Sequence, residues 1–150
     1  MFKRHRGKTK IMYFKGDTAR EIREGSLVSA TDSATVVPVR NDSTDQVLGV
    51  ARRNDTITDS ALVPVEVPVE SAVEWLIDVD SDAGAADTDV FRIVNVDTTG
   101  GNSVLAGDSV GMRVDINDSA AGQIFVTARV SATKIIGVIA NTVWHQTFDT

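Results

Sequence analysis

The apolar residues of this chain fall in short runs, and no run sustains a helical period. "SLVSA", "ATVVPV", "QVLGVA", "AVEWLIDV", "VFRIVNV", "SVGMRVDI", "QIFVTARV" and "KIIGVIA" follow one another. Between several of them lie clusters of Asp, Asn, Ser, Thr and Gly such as "RNDSTD" and "RRNDTITD". Short apolar runs separated by turn residues are the pattern of strands in a sandwich or barrel. Valine and threonine dominate, and branching at Cβ suits a pleated backbone. Aromatic residues make up only 5%, so the core has to come from aliphatic side chains. The 150 residues suffice for one domain with a real core. The expected fold is all-β: a small β-barrel or β-sandwich.

Two stretches add detail. In "ALVPVEVPVE", Val63, Val65, Val67 and Val69 alternate with Pro64 and Pro68. Proline removes ladder donors, so this strand is expected at a sheet edge or as an extended crossing segment. "DTAREIREG", residues 17–25, reads as one or two helical turns or as a bent strand, stopped by Gly25. "KIMYFKGD", residues 10–17, reads as a first strand.

Glycine stands inside two apolar runs, at Gly49 in "QVLGVAR" and at Gly137 in "KIIGVIA". Each is preceded by a glycine-led strand, "GSLV" from Gly25 and "GDSV" from Gly107. A glycine within a strand marks a bulge or a close backbone approach. Gly25, Gly49, Gly107 and Gly137 are therefore expected to be structural, and the two units read either as an internal repeat or as a chance likeness in a chain rich in valine and glycine.

Charge is divided along the chain. The net charge is −6, yet the first 23 residues hold eight basic side chains against Asp17 and Glu21. Residues 1–10 carry little apolar surface, so they read as a flexible basic N-terminal arm before a single β domain at 11–150. Lys3, Arg4, Arg6, Lys8 and Lys10 are candidate partner-binding residues, as are Trp144 and Phe148 near the C-terminus. Base-stacking aromatics are scarce and the body is acidic, which disfavours nucleic acid; an acidic protein surface would explain the arm, and a merely solvated tail is the plain alternative.

Reactive chemistry is sparse. There is no cysteine, hence no disulfide and no thiolate metal site. His5 lies in the arm, and His145 has no recognisable nucleophile elbow to serve. "DVDSDAGAADTD", residues 78–89, begins like a calcium loop. It places Ala83 where such a loop needs glycine and ends on Asp89 rather than a bidentate glutamate. It reads as an acidic solvated loop, and "TTGGN" at 98–102 as a hairpin turn. No enzyme, metal or cofactor is expected. The longest uncharged apolar stretch is far too short to span a bilayer as a helix, and no signal segment opens the chain, so a soluble protein without a membrane partner is expected.

"GSLVSAT", "VLGVAR", "PVEVPVESAVEWLIDVDSDAGAADTDV" and "RVSATKIIGVIA" resemble the small all-β decoration, or cement, proteins of tailed-virus (bacteriophage-like) capsids. The likeness covers most of residues 20 to 140 and lies in pattern. It implies a structural virion protein on the outer capsid surface, often a homotrimer, which staples neighbouring major capsid subunits without catalytic residues. Another virion part, such as a tail or head-tail joining protein, and a carbohydrate-binding β module are the alternative readings.

Overall fold

The computed structural model describes residues 1–16, 22–30, 35–39, 46–54, 62–70, 73–80, 84–97, 112–117 and 122–140. Their strands are β1 (Phe2–Arg6), β2 (Thr9–Gly16), β3 (Leu27–Ala30), β4 (Thr35–Pro38), β5 (Val47–Ala51), β6 (Leu62–Pro68), β7 (Glu74–Asp78), β8 (Ile93–Asp97), β9 (Arg113–Asp115), β10 (Ile124–Ser131) and β11 (Lys134–Ile139). One 3-10 turn, Asp87–Asp89, precedes β8, and no α-helix occurs among the described residues. The fold is all-β, and it is a barrel and a sheet together.

Strands β2-β4-β3-β5-β6 close into a five-stranded barrel, and β1-β7-β11-β10-β8-β9 form a six-stranded antiparallel sheet. Alternation explains the barrel interior. Val63, Val65 and Val67 of β6 point inward and meet Val28, Val36, Leu48, Ala51 and Ile22, with Met12 and Phe14 of β2 packed against them. Side chains on the opposite face of β3 and β5, among them Leu27 and Val50, belong to a second core. There they join Trp75, Ile77, Val94, Ile124, Val126, Ile135 and Ile139 from the inner face of the sheet. The barrel wall thus serves as the partner layer that the sheet needs to bury one side.

Residues 1–10 are not a flexible arm. Phe2–Arg6 pairs antiparallel with β7, from Phe2↔Ile77 to Arg6↔Glu74, and Thr9 already begins β2. The reason is Phe2, which is fully buried in the shared core. Burying one such side chain contributes about 1.5–3 kcal/mol, and the basic residues ride on a strand fixed by that anchor. The sheet and barrel are linked through this crossing, so the N-terminal segment is part of the fold.

The proline-containing strand is not an edge either. β6 pairs with β2 from Leu62↔Lys15 to Pro68↔Thr9, and with β5 at Val65↔Ala51 and Glu66↔Val50. The β5 ladder is short, and both prolines lie outside it. Val69 follows the strand and is exposed rather than continuing the inward row.

The glycine-centred units do not form a repeat in topology. β5 pairs with β3, the glycine-led strand before it, whereas β11 lies between β10 and β7. What they share is local crowding. A Cβ on Gly49 would stand 2.4 Å from the Glu66 carbonyl oxygen, and one on Gly137 would stand 3.0 Å from that of Phe125. Both glycines also lie beside a register shift, in the β3–β5 and β10–β11 ladders respectively. Gly25 turns the chain with φ +80, and a Cβ there would strike the Met1 side chain. Gly107 lies outside the described residues.

Candidate interaction surface

The basic residues of the N-terminal segment divide between two jobs. Strand alternation sends Arg4 to the same side as Phe2, toward the barrel. Its guanidinium lies 3.3 Å from Glu66 and donates to the Thr9 hydroxyl at 2.9 Å. Thr9 in turn donates to Glu66 at 2.6 Å, and Arg52 caps the other carboxylate oxygen. Arg52 also lies over the Trp75 ring, 6.0 Å from its centroid. Glu66 is buried at 5% exposure, and a buried carboxylate persists where hydrogen bonds and opposite charge satisfy it. This cluster ties β1, β2, β5, β6 and β7 into one joint.

A second charged group fixes the adjoining corner. The Met1 ammonium donates to Asp78 at 3.1 Å and to the Met112 carbonyl at 2.5 Å, and Lys134 reaches the other Asp78 oxygen at 2.5 Å. Burial lowers the pKa of the Met1 amine below its ordinary value, with Asp78 opposing. Burial by itself would raise that of Asp78. The Lys134 hydrogen bond and the Met1 charge outweigh it and hold the carboxyl below its ordinary value. Asp80 lies 4.0 Å from Arg113, and Asp89 pairs with Arg92 at 2.6 Å. In the described part of the acidic 78–89 stretch, these carboxylates are directed at separate cations rather than at one centre.

The outer face of the six-stranded sheet has a different character. Across it run Ile93, Phe125, Val138 and Glu74, ending on Arg6; the neighbouring row carries Ile136, Leu76 and Lys3. Phe125, Val138, Ile136 and Leu76 are half-buried and Ile93 is exposed. A solvated antiparallel face ordinarily alternates to polar side chains. This one is apolar through Ile93, Phe125, Val138, Ile136 and Leu76, and charged pairs bound it: Glu74 with Arg6 at 3.7 Å on one side and Asp78 with Lys134 at 2.5 Å on the other.

Phe91 extends the apolar face. Its ring is 75% exposed and stacks on Phe125 with centroids 6.4 Å apart. Its backbone is left-handed, with φ 70, which costs an L-residue with a Cβ about 1–2 kcal/mol. The surrounding turn enforces it. The Asp89 carboxylate accepts from the Ala86 amide at 2.8 Å and from Arg92 at 2.6 Å, and the Phe91 amide donates to the Val126 carbonyl at 2.8 Å. A strained residue held outward at such a cost is a functional signal.

Of the residues singled out from sequence, Lys3 and Arg6 lie on this outer face, Arg4 faces the joint, Lys8 lies in the turn to β2, and Lys10 is exposed on β2. Lys8 contributes its backbone, with its amide donating to Glu70 at 2.7 Å and its carbonyl accepting from Val69. Trp144 and Phe148 lie outside the described residues. Sequence reasoning missed Glu66, Arg52 and Phe91. Glu66 shares the proline side of an alternating strand and looks solvated until β1 covers it. Phe91 carries no signal in composition, because its conformation comes from the turn. No family, curated protein or solved structure matches this chain.

Proposed function

We propose that this is a structural virion protein, a cement protein that binds the outside of an icosahedral capsid and staples neighbouring major capsid subunits as a homotrimer. The reading is supported by the resemblance of the strand motifs. The observation that carries it is the outer sheet face: Phe91, Ile93, Phe125, Val138, Ile136 and Leu76 form a rigid apolar surface bordered by Lys3. Exposed apolar surface of this kind, rimmed by polar residues, suits a protein partner. Lys3 lies where it would meet acid on that partner.

Co-sedimentation with empty, DNA-free capsids tests the proposal. Deleting residues 1–10 would remove Phe2 from the core, so the informative variants are Lys3→Glu and Phe91→Asp, both at exposed positions. The expected result is a fixed copy ratio for the unchanged protein and loss of binding for both variants. Failure of the unchanged protein to bind capsids of its own virus, or equal binding by both variants, overturns the reading.

A further inference from the structure

The outer sheet face has a shape as well as a chemistry. Leu76 and Ile136 share one cross-strand row, and Val138, Phe125 and Ile93 share the next. The apolar strip therefore runs obliquely from β7 through β11 and β10 to β8. It crosses three strand intervals of about 4.8 Å and steps two residues, about 7 Å, along the strands, so its length is about 16 Å. Charged pairs confine its sides, Glu74 with Arg6 and Asp78 with Lys134. Its two ends differ. Phe91, 75% exposed and stacked on Phe125, raises the β8 end. At the other end the Leu76 row finishes on Lys3, which is exposed and makes no ion pair among the described residues.

These features select among the backbones that could cover the strip. An extended segment laid on it would press its own N–H and C=O groups against apolar side chains that cannot bond them, at a cost of several kcal/mol. A sheet satisfies its own backbone but packs as a flat layer, and the raised Phe91 ring stands in its way. A helix carries its hydrogen bonds within itself, and its rounded surface can lean against that ring while resting on Phe125, Val138 and Ile136. A second copy of this chain offers no such element among the described residues, where no α-helix occurs.

We propose that the strip receives an amphipathic helix of the major capsid subunit, about three turns long, lying obliquely across β7, β11, β10 and β8 with its carboxyl-terminal end over Lys3. The inference rests on the capsid reading and names the partner element which that reading leaves open. Three turns at 1.5 Å per residue match the length of the strip. Residues at i, i+3 or i+4, and i+7 of such a helix share one side and fill the width of its two rows. Lys3 sets the polarity. Its ammonium would lie against the negative end of the helix dipole, whose last carbonyls have no partner within the helix, and against an acidic side chain beside them.

Photo-cross-linking of the full-length protein bound to empty capsids tests it. Leu76, Ile136 and Ile93 are replaced one at a time by the diazirine analogue of leucine, and the captured capsid residues are identified by mass spectrometry. The expected result is capture within one capsid segment of about eleven residues, spaced three or four apart. The residues captured from position 76 should lie carboxyl-terminal to those captured from position 93. Lys3→Glu should weaken binding at least about tenfold, and reversing the charge of the acidic capsid residue captured nearest position 76 should restore it. Capture at alternate residues, capture spread over several segments, the reverse order, or no capture by protein that has bound would each overturn the inference. So would cross-links to a second copy or to residues 141–150 of the same chain. Failure to co-sediment with capsids overturns the capsid reading and the inference with it, whereas binding with any of those cross-link patterns overturns the inference alone.

Discussion

Adding a single methyl group at Gly49 tests how tightly the barrel is closed. The new Cβ of Gly49→Ala would lie 2.4 Å from the Glu66 carbonyl oxygen, 2.8 Å from Val65 Cγ1 and 3.1 Å from the Glu66 carbonyl carbon. Two of these three neighbours are backbone, so relief requires moving β6 rather than rotating a side chain. Overpacking of this kind costs about 1–3 kcal/mol, and a backbone collision belongs at the upper end. Alanine also restricts the unfolded chain, which returns about 0.4–1 kcal/mol. The net expectation is destabilisation by about 2 kcal/mol, or a fall in Tm of roughly 4–8 °C for a chain of this size. Gly137→Ala is the control. Its nearest contacts are Ile124 Cγ2 at 2.8 Å, the Phe125 oxygen at 3.0 Å and Ile77 Cδ1 at 3.2 Å; two of the three are side-chain methyls, and the one backbone contact is 0.6 Å looser than that at Gly49 (3.0 against 2.4 Å). Its net cost should be smaller, below about 1 kcal/mol. Thermal melts followed by far-UV circular dichroism give both values. An unchanged Tm for Gly49→Ala, or a larger loss for Gly137→Ala, would refute the argument that strand spacing here is set by the absent side chain.

Glu66→Gln keeps the shape of the joint and removes its charge, so urea melts should show a loss of about 2–3 kcal/mol, chiefly through Arg52 and Arg4. Asp78 titrates below its ordinary value of 3.8 in the folded protein. The stability its charge contributes is present above that value and lost as pH falls through the folded pKa. The stability gap between the unchanged protein and Asp78→Asn should therefore close in acid, and a gap that stays constant with pH would contradict the pairing with Met1 and Lys134. Phe91→Asn places a residue tolerant of the left-handed conformation in the turn, so chemical melts should show stability within about 0.5 kcal/mol of the unchanged protein. A large loss would mean that the ring serves folding rather than recognition.

Most strands were legible in the sequence because each apolar run is short and fenced by turn residues. The run "QVLGVA" became β5 and "KIIGVIA" became β11 with ends within a residue or two. β1 was not legible. "FKRHR" holds one apolar residue among basic ones, and its place in the sheet depends on β7, far along the chain. Local composition cannot report such a partner. The same limit hid the joint: Glu66 and Arg52 look like surface residues until Arg4 and Trp75 close over them. The glycines were legible as crowded positions, since glycine in a strand has a local steric meaning, but not as a repeat, since pairing order is a global property. The split of the basic residues follows from alternation on β1, which could be read only once a strand was assigned there.

The crossing of β1 into β7 has a consequence for assembly of the chain. Arg6 pairs with Glu74, so β1 and β7 are the arms of a hairpin whose loop is the entire barrel. The mouth of that loop is stitched by the Lys8 amide on Glu70 and the Val69 amide on the Lys8 carbonyl. A loop of this length would ordinarily delay pairing of its ends through closure entropy. Here the loop is itself a contiguous folding unit, with β2 through β6 all contained in residues 9–68. Once β2 has paired with β6, the ends stand side by side and the hairpin behaves as one with a short turn. The sequence separation that makes β1 hard to foresee is thus much smaller in the kinetics than along the chain, and barrel formation should precede sheet formation.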